Sequence, residues 1–317
     1  MLSKENEQRL FDIFLPDINK KSNDIKSAGK RFVHYTSANA AMQILQNRQI
    51  WMRQPSCMND FMEVEHGIEC LVATYEKSAI RKSLEELSKG LSLSVEKGFD
   101  HLVAKIRRDL YLTCVSEHED AEDSHGRLSM WRAYGKSAGV GMVLNQKPFF
   151  SESNVLKAIS MPVVYMNNEE SLTALNGIAN NIKESRSFLE SVEVEEILKF
   201  VLHSFILTVI SAKHVGFSEE KEWRVICSPT IFGISEHLIP SIESVDGIPQ
   251  EIYKLQLKNV PEEGVEGMEI KELIDRIIIG PTKYPLVLSK AFVRILDEAG
   301  VENPSSKVFI SDIPLQK

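Results

Sequence analysis

Two long stretches with apolar residues at helical spacing interrupt a series of short segments rich in β-branched and aromatic residues. The helical stretches lie at about 61–108 and 170–212, and strand-like segments come before, between and after them. Apolar residues at a period of 3.6 predict amphipathic helices, whereas short runs of β-branched and aromatic residues predict strands. The chain therefore predicts a mixed α+β fold in which helices pack around a sheet.

The strand-like segments and the loops between them also predict the domain organisation. We expect residues 1–30 to form a charged helical appendage and residues 31–317 to form one α+β domain with the two helical stretches as insertions, because no linker rich in proline, glycine or serine divides the chain. The predicted strands lie near 32–36, 50–52, 110–116, 139–144, 161–166 and 222–227.

Composition and charge exclude several classes of protein. With 43% hydrophobic and 26% charged residues the chain can bury a full core, and a formal charge of −8 argues against the broad basic face that non-specific nucleic-acid binding needs. No apolar run reaches the length of a membrane span and no secretory leader opens the chain, so we expect a cytoplasmic protein. The scattered cysteines, which we expect to be reduced and mostly buried, suggest neither zinc nor disulfides.

A polar triplet, His34-Tyr35-Thr36, stands between two apolar residues and a predicted helix that Ser37 or Asn39 can cap. Alternation along a strand sends His34 and Thr36 to one face and Tyr35 to the other. The two hydrogen-bonding side chains could then converge on a ligand. The alternative is that His34 is a structural group with a satisfied hydrogen bond.

Three further clusters carry polar or aromatic groups at positions that function could use. Asn59 and Asp60 form a turn that could equally cap the helix after it. Trp131 and Tyr134 have the i, i+3 spacing of one helical face, which predicts either core or a platform for a flat ring.

The third cluster is the charged segment that runs into a predicted strand at 219–225. On an extended chain Glu220, Glu222 and Arg224 share one face. This pattern predicts either an edge strand protected by charge or a carboxylate in a cleft, where an anion stabilises positive charge at the anomeric carbon of a sugar. Fingerprints of Rossmann, P-loop, metalloprotease, α/β-hydrolase and calcium-binding sites are absent from the sequence.

An ordered set of motifs resembles a bacterial domain of unknown function, the one catalogued as twenty-nine seventy-one. The set runs over about residues 31–315 and consists of HYTS, I-L-x-x-x-x-I-W, an N-D turn, C-x-S, SMWRAYG with a following G-x-G, K-x-x-x-F-x-x-E-x-E-W-R, IIIGP and FISDIP. More distantly, a His-Tyr-Thr strand followed by a helix, and later a Glu-x-Glu strand, is similar to ADP-ribosyltransferases and to the DNA-modifying toxins of that superfamily.

The second resemblance implies a fold, a reaction and roles for particular residues. The fold is a bent, split antiparallel sheet of ADP-ribosyltransferase type surrounded by helices, and the substrate is NAD. Glu222 would stabilise the oxocarbenium-like transition state, Glu220 would activate the acceptor, and His34 would bind the ribose. The NAD-binding residues implied in this way are His34, Tyr35, Thr36, Trp51, Asn59, Asp60, Ser129, Trp131, Tyr134 and Arg224.

Two hypotheses of function follow. The first is an NAD-dependent ADP-ribosyltransferase, an intracellular toxin or phage-defence effector, which needs no metal because nicotinamide leaves as a neutral group. Its acceptor stays open between RNA, DNA and protein, since no S-T-S segment like that of the arginine-specific branch occurs, and an antitoxin or chaperone would be its partner. The second is a non-catalytic module of a defence system that senses a nucleotide or binds a partner.

Overall fold

The computed structural model describes residues 2–58, 62–135 and 138–314, and it shows a mixed α+β protein. The helices are α1 (Lys4–Phe14), α2 (Pro16–Ser27), α3 (Ala38–Asn47), α4 (Glu63–Tyr75), α5 (Ile80–Leu87), α6 (Leu91–Asp109), α7 (Leu128–Tyr134), α8 (Asn168–Glu184), α9 (Arg186–Leu189), α10 (Val194–Ser211), α11 (Pro229–Phe232), α12 (Ile270–Leu273) and α13 (Pro285–Glu298). The strands are β1 (Arg31–Ser37), β2 (Gln49–Arg53), β3 (Tyr111–His118), β4 (Gly139–Leu144), β5 (Ala158–Pro162), β6 (Val164–Tyr165), β7 (Ala212–Lys213), β8 (Glu222–Cys227), β9 (Leu238–Val245), β10 (Ile248–Gln256), β11 (Ile274–Ile279) and β12 (Val308–Ile310).

The chain divides into two compact units. The first contains residues 1–24, 55–110 and 161–218, and the second contains residues 25–54, 111–160 and 219–317. The first unit is helical except for the short parallel pair β6–β7. Its most apolar helix, α10, packs against α4 and α6. Among the described residues, no helix has both the length and the apolar character needed to cross a membrane.

The second unit contains the large sheet, in which the order of the strands is β12-β11-β4-β1-β3-β2-β10-β9, with β8 paired to β3 and to β5. Nearly every pair is antiparallel, and β11–β12 is parallel. The prediction of an α+β fold with a mostly antiparallel sheet is confirmed. Membership of the ADP-ribosyltransferase type stays a prediction.

The sheet forks at β3. The peptide N–H of Glu117 donates to the carbonyl of Lys221, which precedes β8, so the peptide groups of residues 112, 114 and 116 point to the other edge of β3. On that other edge β1 pairs with residues 116–118 and β2 pairs with Leu112. Strands β1 and β2 therefore leave the same edge of β3 on either side of Cys114.

Strand β1 passes directly into helix α3, as the sequence predicts. Ser37 has an extended backbone, and its hydroxyl accepts a hydrogen bond from the N–H of Ala40 at 3.2 Å. A serine in this position satisfies one of the N–H groups that a helix leaves free at its start. Of the two caps that the sequence allows, Ser37 is the one used.

One strand prediction needs correction. The segment at 161–166 is not one strand, because β5 ends at Pro162 and β6 occupies two residues. Strands β9 and β10 form a long hairpin beyond these predicted segments. Asp246 and Gly247 both have positive φ at its turn, which matches the right-handed twist of two-residue hairpins.

None of the four cysteines forms a disulfide in the described residues. Cys70 and Cys227 are buried, Cys114 is half-buried, and Cys57 is exposed. The prediction of mostly buried thiols is therefore wrong for Cys57, which lies in a short 3₁₀ turn, Pro55–Cys57.

Candidate functional site

The register of the central strands divides the predicted site residues between the two faces of the sheet. Val33 on β1, Ser116 on β3 and Glu222 on β8 are direct cross-strand partners and so lie on one face. Tyr35 and Arg224 follow by alternation. We call this side, defined by Val33, Tyr35, Cys114, Ser116, Glu222 and Arg224, the Glu222 face.

The opposite side holds the main core of the second unit. Phe32 and Trp223 pack there with ring centroids 5.0 Å apart. His34 and Thr36 alternate with Tyr35, so both lie on this Phe32 face. The resemblance assigns His34 and Glu222 to one NAD site, but the register places them on opposite faces of the sheet, because a displacement of one residue along a strand moves a side chain to the other face.

The structure gives His34 a local role. Its Nδ1 lies 2.8 Å from the carbonyl oxygen of Cys114, at the point where the sheet forks. Since a carbonyl can only accept, Nδ1 carries the proton and donates. The imidazole thus satisfies a peptide group that neither β1 nor β2 reaches, and the structural alternative for His34 is the one that the contacts support.

This environment predicts a pH dependence of stability. Burial lowers the pKa of His34, and the hydrogen bond to Cys114 opposes that shift. Because the folded protein then binds fewer protons than the unfolded chain, stability is fully present above the unfolded pKa of about 6.5 and is lost as pH falls below it. One such group changes the free energy of unfolding by at most about 1.4 kcal/mol per pH unit.

We expect His34→Asn, which keeps an N–H donor, to flatten this slope. Urea unfolding at pH 7 and at pH 5, followed by tryptophan fluorescence, measures it, since Trp51, Trp131 and Trp223 all lie in the second unit. His101→Asn, at an exposed position of α6, is the control. An unchanged slope in His34→Asn would show that His34 does not cause the dependence.

Trp131 is a core residue and not a platform for a ligand. Its side chain is 0% exposed, and its Nε1 donates to the carbonyl of His125 at 2.8 Å. The Tyr35 ring meets it edge-on with centroids 4.8 Å apart. Both flat surfaces of the indole are thus enclosed within the protein, which leaves no room for a stacked nicotinamide.

Glycines make the space for this indole. A methyl group at Gly126 would lie 2.5 Å from a ring carbon of Trp131, and one at Gly280 would lie 2.7 Å from another. Gly141, in the G-x-G strand, approaches the same ring. Glycine in the middle of a strand commonly marks such a close approach, so Gly141 serves the packing of the core here.

Tyr134 is half-buried and lies beside the segment before β8. Its hydroxyl is 3.4 Å from Oε1 of Glu220, a long hydrogen bond. Glu220 ends a 3₁₀ turn, Val215–Glu220, and Lys221 has a left-handed backbone with φ of 46°. The chain is therefore not extended from Glu220 to Glu222, and the prediction that these two carboxylates share a strand face is wrong.

Glu222 and Arg224 do share a face, as alternation predicts. Nε of Arg224 donates to Oε1 of Glu222 at 2.8 Å, and the two residues are 4% and 0% exposed. Burying two charges carries a large desolvation cost, which a close hydrogen-bonded pair offsets. The carboxylate of Glu222 is consequently held in a fixed position, with a cation next to it.

The remaining candidates are placed as follows. Trp51 is half-buried on β2, and Nζ of Lys254 lies 5.7 Å from its ring centroid. Because Arg53, two residues further along β2, pairs with Leu112, the Trp51 side chain lies on the Glu222 face. Ser129 is half-buried on α7. Asn59 and Asp60 lie outside the described residues.

Arg127 is a residue that the sequence did not reveal. It precedes α7, and its guanidinium hydrogen-bonds to the segment before β8, to the end of β3 and to Glu122. A single arginine in front of a short helix carries no local signal of this role. Within the described ranges no cluster of three or more metal-ligating side chains occurs.

The comparison with known families reaches part of this site. A family model described as "Protein of unknown function (DUF2971)" matches residues 130–225. The matched segment is less than a third of the chain and includes Trp131, Tyr134, Glu220, Glu222 and Arg224. No curated protein and no solved structure matches the chain. The resemblance to ADP-ribosyltransferases thus has no support from the comparisons and stays a prediction.

Proposed function

We propose that the Glu222 face beside the fork binds NAD and that the protein is an ADP-ribosyltransferase. The observation that carries the proposal is that the fixed Glu222 carboxylate and the Trp51 ring lie on one face of a forked sheet, and that Tyr134, which packs against Val33 and Tyr35 of the same face, bonds to Glu220. Tyr134 and Glu220 lie next to the β1 branch, and Trp51 lies on the β2 branch. Glu222 lies on β8, which pairs with the edge of β3 opposite β1 and β2.

The chemistry requires little beyond these groups. The bond between the anomeric carbon of the ribose and the nicotinamide nitrogen breaks, and its electron pair leaves with nicotinamide, which becomes neutral. The positive charge that develops on the ribose is stabilised by a fixed carboxylate, which we assign to Glu222. An acceptor hydroxyl or amine then bonds to the anomeric carbon and gives its proton to a base, which we assign to Glu220 because it is more exposed than Glu222.

Two assignments change from those that the resemblance implies. His34 serves the fork and takes no part in binding the ribose, because it lies on the Phe32 face. Trp131 supports Tyr35 from within the core, so Tyr134 and Trp51 are the aromatic rings left to contact the nicotinamide or adenine. Aromatic rings stack on nucleobases without needing a particular hydrogen-bond pattern.

One observation favours a second function. Arg224 lies against the Glu222 carboxylate and offsets the negative charge that the chemistry requires. A pair of this kind serves equally in a non-catalytic module that binds a nucleotide or a protein partner. In that case the Glu222 face would bind NAD or another nucleotide with no bond broken.

Nicotinamide release from NAD distinguishes the two functions. We expect the purified protein to release nicotinamide, and labelled ADP-ribose to pass to RNA, DNA or protein when each is supplied separately. Calorimetry with NAD gives the affinity in the same buffer. Binding of NAD without release of nicotinamide would favour the non-catalytic module. If the protein showed no binding and no release, both proposals would be contradicted. Arrested growth of bacteria that express the chain would support a toxin or a defence effector.

A further inference from the structure

Arg127 uses every N–H bond of its guanidinium. Nη1 donates to the carbonyls of Glu219 and Glu220 at 3.0 and 3.1 Å. Nη2 donates to the carbonyl of Glu117 and to Oε2 of Glu122, both at 3.0 Å. Nε donates to Oε1 of Glu122 at 2.9 Å. These are the five donors that arginine possesses, so the group is fully satisfied.

The five bonds join segments that are distant in the sequence. They connect the loop after β3, the last residues of β3 and the turn before β8. The backbone N–H of Arg127 also donates to the hydroxyl of Tyr35 on β1, at 2.9 Å. The side chain is only 12% exposed. Lysine could not replace this arrangement, because it has three donors on a single nitrogen and no planar fork.

The turn that Arg127 holds is the one that aims Glu220. Directly after the two bonded carbonyls, Lys221 adopts the left-handed conformation, which costs a non-glycine residue about 1–3 kcal/mol. Such a conformation persists only where the surrounding contacts determine it. The bonds from Arg127 to residues 219 and 220 supply those contacts, and the Glu220 side chain reaches the Tyr134 hydroxyl from this turn.

We propose that Arg127 is a positioning residue that fixes Glu220 against Tyr134 and fixes the start of β8 at Glu222. This inference rests on the proposed function of the Glu222 face. Arg127 would set the positions of the Glu220 and Glu222 carboxylates, on which the chemistry depends. A displacement of a reacting group by about 1 Å can lower a rate about 100-fold.

The test compares Arg127→Lys with Arg132→Lys, at an exposed arginine of α7, the helix that Arg127 precedes. We expect Arg127→Lys to lower kcat for nicotinamide release about 10- to 100-fold with KM changed less than about threefold. Arg132→Lys should behave as the wild type. In Arg127→Ala, added guanidinium ion should restore part of the lost kcat, which a loss of folding would not allow.

A second measurement keeps the inference separate from the proposed function. Hydrogen exchange of the amides at 219–223 should be faster in Arg127→Lys and unchanged in Arg132→Lys. If the wild type releases no nicotinamide but this exchange difference is present, the proposed reaction fails and the positioning role stands. Wild-type kcat in Arg127→Lys, or an unchanged exchange pattern, would overturn the positioning role.

Discussion

Glu222→Gln should lower nicotinamide release about 10²- to 10³-fold and leave the Kd for NAD within about threefold of the wild-type value. The reason is that positive charge on the ribose appears only in the transition state, so the loss of the carboxylate is felt in kcat and hardly in binding. Steady-state kinetics and calorimetry measure the two quantities. Glu219→Gln, an exposed carboxylate three residues earlier, is the matched control.

The buried pair complicates this result in a way that a further variant resolves. Without the carboxylate, Arg224 loses a hydrogen-bonded counter-charge, and the free energy of unfolding should fall by about 3–5 kcal/mol. Glu222→Leu combined with Arg224→Met should regain most of that stability, because apolar residues of similar volume often replace a buried pair at little cost. If the double variant also regained nicotinamide release, Glu222 would be structural and its assignment as the charge-stabilising carboxylate would be wrong.

Local patterns in the sequence predicted the elements that local interactions determine. The strand predicted near 32–36, the helix cap predicted at Ser37 or Asn39 and the long helices depend on residue type and spacing over a few positions. The fork at β3 depends instead on pairing between segments about 60 to 90 residues apart, which no local pattern encodes. A mixed fold was therefore predictable, whereas the strand order was not.

The division of the candidate site between two faces illustrates the same limit. Alternation correctly separated His34 from Tyr35 within β1. It could not say which of them shares a face with Glu222, because that depends on the register of β1 against β3 and of β3 against β8. A difference of one residue in either register would exchange the two.

The prediction that Glu220 and Glu222 share a strand face was wrong for a different reason. Alternation holds only while the backbone is extended, and Lys221 leaves that conformation with φ of 46°. Lysine carries no preference for the left-handed region, unlike glycine or asparagine, so its sequence position gives no warning. The contacts from Arg127, which lies more than 90 residues earlier, explain why the turn forms there.

Trp131→Ala should lower the free energy of unfolding of the second unit by about 3–5 kcal/mol, the range for removing a buried tryptophan. The indole fills a space bordered by Gly126, Gly141 and Gly280, so its removal leaves a cavity in the core. Gly280→Ala should also destabilise this unit, by about 1–3 kcal/mol, because the added methyl would meet the indole at 2.7 Å.

Urea unfolding followed by circular dichroism measures both variants, with Trp51→Ala as the control because that ring is only half-buried. We expect the control to lose less stability than Trp131→Ala and, if its ring contacts NAD, to lose affinity for the nucleotide. Trp131→Ala should show the reverse, with NAD affinity unchanged once the folded fraction is taken into account. Unchanged stability with lost NAD affinity in Trp131→Ala would return this residue to the role of a stacking platform, which its burial and its hydrogen bond to His125 now oppose.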